Sequence, residues 1–294
     1  MIAILFCCQN LSNFLKLRPS KANLDIIYPP LDKGKFDKMA RKIVLTSGKG
    51  GVGKTTVCAN LGIALAERGL RVALLDFDIG MNNLDVAMKL DSQVVFDLID
   101  VIEGKCRISQ ALLQDSSYPT LYVMPSCHHA KRIISVDQVR QLIFKMQDGF
   151  DYLLIDCPAG METGFRRAIS CADEAIVVTT PHPYSVKDAS KVIEYLNCCN
   201  LLQVSVVVNR VRGDLVCSGE MLDAHKVFAM LDAKPLAILP EDDFINCFLE
   251  AKSGNQPYKI LATNLHDGKR QMYDCTSKYR GFWGKMRRNA KRNA

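Results

Sequence analysis

Short apolar runs rich in β-branched residues alternate along the chain with longer stretches of helical spacing. The runs are Ile43–Ser47, Arg71–Asp76, Thr120–Pro125, Tyr152–Asp156, Glu174–Thr180, Val204–Asn209 and Pro235–Leu239. Several, such as Ile176-Val177-Val178 and Val206-Val207-Val208, are continuously apolar, as strands covered on both faces are. Seven such strands separated by helices predict an α/β fold, a doubly wound and mostly parallel sheet with helices on both faces. Ligands of such sheets bind beyond the carboxyl ends of the strands, so the polar residues at those ends are the first candidates for chemistry.

The pattern fades at both ends of the chain. Residues 1–38 hold neither period and contain Pro19, Pro29, Pro30 and a polar stretch from Lys33 to Lys38, so they read as an extension outside the fold. Met39-Ala40-Arg41-Lys42 directly precedes the first strand, so an over-extended start is one explanation for them. The folded domain is expected over 39–277. In the remaining segment, 278–294, a helix would place Tyr279, Phe282, Trp283, Met286 and Ala290 on one face and leave the rest to cations, among them Lys285, Arg287 and Arg288. That is the pattern of an interfacial helix, with aromatics at the acyl boundary and Lys/Arg over anionic headgroups. Gly281 and Gly284 each cost about 1 kcal/mol in a helix, so the tail is expected to be disordered in water and to fold on a membrane. A docked terminal helix and a solvated basic tail are the alternatives.

Charge sharpens this reading. The chain has 294 residues, 48% apolar and 23% charged, with a formal net charge of +7. The tail carries Lys278, Arg280, Lys285, Arg287, Arg288, Lys291 and Arg292 and no acid, so it accounts for the whole net charge and leaves the body formally neutral. A neutral body with a concentrated basic tail points to a membrane surface or another polyanion, and no specific nucleic-acid partner is expected. The 12 cysteines form no CxxC or CxC pair, which speaks against zinc and iron–sulfur sites and for a reducing, cytoplasmic setting. His128 and His129 beside Cys127 lack a second ligand cluster. No apolar run approaches the roughly 20 residues that span a bilayer.

The chemistry centres on Gly48-Lys49-Gly50-Gly51-Val52-Gly53-Lys54-Thr55-Thr56, which satisfies GxxxxGK[ST] between a strand and a helix. Its backbone N–H groups and helix terminus suit a nucleotide phosphate, Lys54 the β/γ oxygens, and the Thr55 hydroxyl a Mg²⁺ ion. Asp156 ends an apolar strand and either holds the metal through water or caps the next helix. Asp76 and Asp78 end another strand and enter Asp78-Ile79-Gly80-Met81-Asn82-Asn83, read as a switch loop that positions water or as a solvated turn.

The second lysine, in KGGxGKTT, resembles the signature of the deviant Walker A ATPases of the MinD/ParA family. Asp76-Phe77-Asp78-Ile79-Gly80-Met81-Asn82-Asn83-Leu84-Asp85, Asp156-Cys157-Pro158-Ala159-Gly160-Met161-Glu162-Thr163-Gly164, Ala172-Asp173-Glu174-Ala175 and Pro240-Glu241-Asp242 resemble its MinD branch over essentially residues 40–292. The resemblance implies ATP and Mg²⁺ as cofactors and ATP hydrolysis as the reaction. Lys49 would cross a homodimer interface, Asp78 orient the attacking water, and Thr55, Asp76 and Asp156 serve the metal. Asn209 would face the adenine, or merely cap its strand. It further implies a peripheral place on the inner face of the cell membrane, a MinC-like division inhibitor as partner, and a MinE-like or polar-anchor regulator. On the helix spanning Ser185–Leu196, Asp188 is a candidate partner contact. Asn82, where the branch has a basic residue, and the pairs Cys198-Cys199 and His128-His129 depart from the pattern. A ParA-like DNA-partition ATPase and an iron–sulfur carrier of the nitrogenase iron-protein kind are the competing readings, the latter lacking its cysteine pairs.

Overall fold

A computed structural model describes residues 39–80, 83–127, 134–241 and 256–292, without the side chains of 287 and 289–292. The extension 1–38, Asn82, His128, His129 and Asp242 lie outside the described residues. All seven expected strands form: β1 (Arg41–Thr46), β2 (Val72–Asp76), β4 (Leu121–Met124), β5 (Tyr152–Asp156), β6 (Glu174–Thr179), β7 (Gln203–Val211) and β8 (Lys234–Pro240). They pair in parallel in the order β4-β2-β5-β1-β6-β7-β8. An eighth, β3 (Leu113–Gln114), adds an antiparallel edge to β4. Two residues are too short to show a period, which is why the sequence pattern does not reveal it.

The helices follow the alternation. Among the described residues, α1 (Lys54–Ala66) joins β1 to β2, and α2 (Leu84–Ala87), α3 (Leu98–Ile102) and α4 (Ile108–Ala111) lead to β3. Next come α5 (Val136–Met146), α6 (Thr163–Ile169), α7 (Pro183–Asn197), α8 (Gly213–Ser218) and α9 (Ala224–Leu231), with α10 (Gln256–Asp267) and α11 (Gly281–Arg292) after β8. The starts are encoded locally: Ser135 and Gln138 form a capping box on α5, and Pro183 sits in the first turn of α7, where a missing N–H costs nothing.

Continuous apolar strands serve two cores at once. In β2, Val72 and Leu74 face α1 and α10 while Ala73 and Leu75 face the α5–α7 side; Tyr152 and Leu154 of β5 divide from Leu153 and Ile155 in the same way. Side chains alternate across a strand, so a strand with apolar cover on both faces has no polar position to spare. At the amino end of the sheet, Arg41 makes a bidentate pair with Glu174 at 2.8 and 2.7 Å and also donates to Tyr152 Oη and Leu265 O. This ties α10 to the end of the sheet opposite the P-loop.

The tail departs from expectation in one respect. Tyr279 belongs to a 3-10 turn, Ser277–Tyr279, and is buried, so it lies in the body and not on the apolar arc assigned to it. Phe282, Trp283 and Met286 of α11 are exposed at 75%, 74% and 53%, with Lys285 exposed beside them. From Gly281 to Arg292 the segment is helical, the conformation in which its apolar arc was laid out. Gly281 opens it at φ 70°, and Gly284 lies flat against the Tyr279 backbone, so the glycines serve a start and a close approach.

Candidate nucleotide site

The P-loop forms where β1 ends and α1 begins. Ser47 Oγ donates to Lys49 O at 2.8 Å, and Gly53, at φ 92°, is the N-cap of α1 with no side-chain cap. The first N–H groups of α1 therefore remain available to an anion, reinforced by the helix dipole. A Cβ on Gly53 would stand 2.5 Å from Asn209 Nδ2, the amide that donates to Val52 O at 2.9 Å. Asn209, buried at the end of β7, thus braces the loop from below; the strand-end reading held it as an adenine contact or a cap, and its amide is engaged by the P-loop backbone. Gly48 packs on the backbone of Asp188 in α7, which puts Asp188 beside the loop, its carboxylate 3.7 Å from Lys191.

The two lysines stand in different surroundings. Lys54 is buried, while Lys49, Gly50 and Gly51 are exposed on the crest of the loop. Thr55 Oγ1 donates to Asp156 Oδ2 at 2.6 Å, and Asp156 Oδ1 is buried without a hydrogen-bond partner. A hydroxyl next to a carboxylate with one unused oxygen suits Mg²⁺, which keeps much of its water. Among the described residues, no group of three or more His, Cys, Asp or Glu side chains encloses a metal position.

Asp76 and Asp156 are register partners at the ends of β2 and β5. Both Asp76 oxygens are engaged, accepting Asp78 N at 2.9 Å and Leu84 N at 3.2 Å, so this residue ties down the backbone at those two points. Burial and then the neighbouring Asp156 push Asp76 up to about 7; burial pushes Asp156 up to about 6 against the pull of Lys54 and the Thr55 hydroxyl. Asp78 is half-buried and raised by burial, with Lys54 opposing, which places its carboxylate near the Lys54 ammonium.

A carboxyl whose folded pKa exceeds its unfolded one favours the fold while protonated. That contribution is complete below about pH 4 and is lost as pH rises through 6 and 7. The nucleotide-free protein should therefore melt lower at pH 8 than at pH 5.5. Asp156→Asn keeps an acceptor for Thr55 and removes the like charge beside Asp76, so it should stabilise the nucleotide-free chain at pH 8 by roughly 1–2 kcal/mol and flatten the pH dependence. Calorimetric melting across this range tests it; a Tm that climbs from pH 5.5 to 8 contradicts the carboxylate pair.

Beside the loop lies a cavity of about 780 Å³, walled by Gly50–Val52, Thr180–Pro183, Ser185, Arg210, Val216, the segment Gly219–Asp223 and Glu241. Arg210 is held at φ 57°, a left-handed conformation rare for a side-chain-bearing residue. A nucleoside attached to a phosphate in the P-loop fits this volume. Of these walls the sequence signals the P-loop, the strand end at Thr180, Ser185 at the start of the contact helix and the Pro240-Glu241 pair; the segment Gly219–Asp223 carries no motif. Cys198 and Cys199 sit at the far end of α7, away from the site, and each thiol meets a carbonyl one turn back.

An AAA domain family model matches residues 40–204. The chain is 43% identical over 228 residues to the putative septum site-determining protein MinD of Guillardia theta, covering 77% of this chain and 83% of that one. It resembles MinD in the MinC:MinD cell division protein complex of Aquifex aeolicus with a TM-score of 0.73 at 34% identity, covering 79% of this chain and 98% of that one. It also resembles MinD of Pyrococcus horikoshii complexed with Mg-ADP, with a TM-score of 0.69 at 30% identity, covering 78% and 96% respectively.

Proposed function

Since the chain belongs to the MinD family of P-loop ATPases, we propose that it hydrolyses ATP, dimerises through it, cycles on and off the membrane and positions the division site. The observation that carries this reading is the contrast between the two P-loop lysines, one buried among carboxylates and one exposed on the crest. In the proposed roles, Lys54 and the backbone from Gly48 to Thr56 bind the triphosphate. Thr55 and Asp156 hold Mg²⁺, which supplies charge neutralisation between the β- and γ-oxygens. Asp76 positions the switch segment, and Asp78 holds the attacking water. Lys49 is free to reach the nucleotide of a second copy, so the dimer interface forms over the bound ATP.

The outer face of α11 supplies the membrane contact, with three exposed apolar side chains among cations. One such helix binds weakly because ordering and transfer costs oppose a small apolar area; two on one dimer gain by effective concentration, roughly a hundredfold. ATP would thus control attachment, with the 39–277 body soluble and the 278–294 segment at the inner face of the cell membrane. No helix among the described residues is long and apolar enough to cross it. The Aquifex protein is found in complex with MinC. By family membership a MinC-like division inhibitor is the partner here, with a MinE-like or polar-anchor regulator stimulating release and Asp188 on the candidate contact helix.

Light scattering and phosphate release test this reading together. With ATP and Mg²⁺ the protein should double its mass, and with ADP it should not. Asp78→Ala should still dimerise with ATP but turn over at least about tenfold more slowly, since the water loses its orienting carboxylate. A monomer under ATP, or unchanged turnover in Asp78→Ala, counts against these assignments.

A further inference from the structure

Helix α8 stands between two cavities. Val216 and the segment Gly219–Asp223 wall the nucleotide cavity. Val216 and Asp223 also line a second cavity of about 190 Å³, closed by Tyr273–Thr276 and Arg280 at the base of the tail. The same few residues therefore border the nucleotide and the root of α11.

The contacts on the tail side are close. A Cβ on Gly213, the first residue of α8, would stand 1.8 Å from Cys275 O and 3.0 Å from the Tyr279 ring, so only glycine permits this seat. One turn on, Cys217 Sγ lies 4.0 Å from Thr276 O. Arg212 grips the buried Asp214 through two contacts of 3.2 and 2.5 Å, fixing the start of the helix. Tyr279 is buried against this seat, Arg288 of α11 donates to Tyr279 O, and Gly284 of α11 rests on the Tyr279 backbone. On the nucleotide side, β7 enters α8 through Asn209, bound to the P-loop carbonyl of Val52, and through Arg210, which lines the cavity in its left-handed conformation.

We propose that α8 couples nucleotide occupancy to the membrane helix within one subunit. A six-residue helix is too short to hold itself, so its order depends on what packs on either side. A nucleoside filling the cavity presses on Val216 and Gly219–Asp223, steadies α8, and so fixes the Cys275–Tyr279 seat that aims Phe282, Trp283 and Met286 outward. Coupling of this kind is reciprocal: a membrane that holds α11 must tighten nucleotide binding by the same factor. The inference rests on the nucleotide reading of the P-loop, and it adds a contribution within the single chain that dimer avidity does not include.

ADP isolates it, because the proposed dimer needs ATP. In the full chain, Mg-ADP should slow amide hydrogen exchange at residues 275–286 at least about threefold. Phosphatidylglycerol vesicles should tighten ADP binding about fivefold, within the usual range for coupled sites, and phosphatidylcholine vesicles should not. Tyr279→Ala removes the ring from the seat and should abolish both effects while leaving ADP affinity without vesicles unchanged; Tyr279→Phe should preserve both. The inference is overturned if ADP binds yet leaves exchange at 275–286 unchanged, or if Tyr279→Ala keeps the full vesicle effect. The wild-type exchange comparison decides even where Tyr279→Ala folds poorly. Failure of the wild-type chain to bind ADP at all would instead overturn the nucleotide reading beneath it.

Discussion

Lys54→Ala should lose nucleotide affinity by at least about a hundredfold, while Lys49→Ala stays within a few-fold of the wild type. Lys54 is the one lysine or arginine that is buried among the described residues, and its charge acts on Asp156 and Asp78. Removing it deletes the charge-assisted bonds to the phosphates, about 1.5–3 kcal/mol each, and leaves anionic phosphates facing uncompensated carboxylates. Together these exceed the roughly 2.8 kcal/mol that a hundredfold represents. Lys49 is exposed on the loop, so its loss removes little from a single subunit. In the dimer it should abolish ATP-dependent association and turnover. Calorimetric titration with Mg-ADP and Mg-ATP separates the two; equal losses in both variants would remove the distinct role of Lys49.

The two lysines were legible in sequence because the P-loop is contiguous: a strand, seven residues and a helix start put Lys54 at the head of α1 and Lys49 on the loop before it, while a separate role for Lys49 came from the family resemblance. The seven parallel strands were legible for a related reason, since runs such as Val206-Val207-Val208 are apolar on both faces and match no amphipathic helix. What escaped was assembled from distant parts. Asn209 meets Val52 across 157 positions, and the nucleotide cavity draws walls from the P-loop and from the loops after β6, β7 and β8, which no local pattern brings together. The resemblance implies a metal role for Asp76; that its oxygens also accept Asp78 N and Leu84 N is a pair of backbone contacts that composition does not announce. Tyr279 fits a helical face by spacing alone. A 3-10 turn and an extended Arg280 break that helix before it reaches Tyr279, and the ring turns inward.

Trp283→Glu should abolish binding to anionic vesicles while leaving nucleotide binding and the fold unchanged. Trp283 is 74% exposed and packs edge-to-face on Phe282 at 5.8 Å, so in water the pair leaves a large apolar surface uncovered. Transfer of an exposed aromatic to the headgroup boundary contributes about 1.5–3 kcal/mol, and a glutamate there replaces that gain with repulsion from anionic lipid. The loss acts on both helices of a dimer, so it compounds through avidity. Among the described residues no hydrogen bond, ion pair or ring contact joins Trp283 to the P-loop, and an exposed position tolerates the change without a core defect. As the only tryptophan, it also reports its own environment. Its emission should shift to the blue on phosphatidylglycerol vesicles with Mg-ATP, less with Mg-ADP, and less again at high salt.

Co-sedimentation of the full chain with phosphatidylglycerol vesicles, under Mg-ATP and under Mg-ADP, tests the central claim of an ATP-controlled membrane switch most directly. The expected result is a protein found mostly in the pellet with ATP and mostly in the supernatant with ADP, with Trp283→Glu in the supernatant under both. Equal sedimentation with ATP and ADP, or full retention of Trp283→Glu on the vesicles, would contradict it.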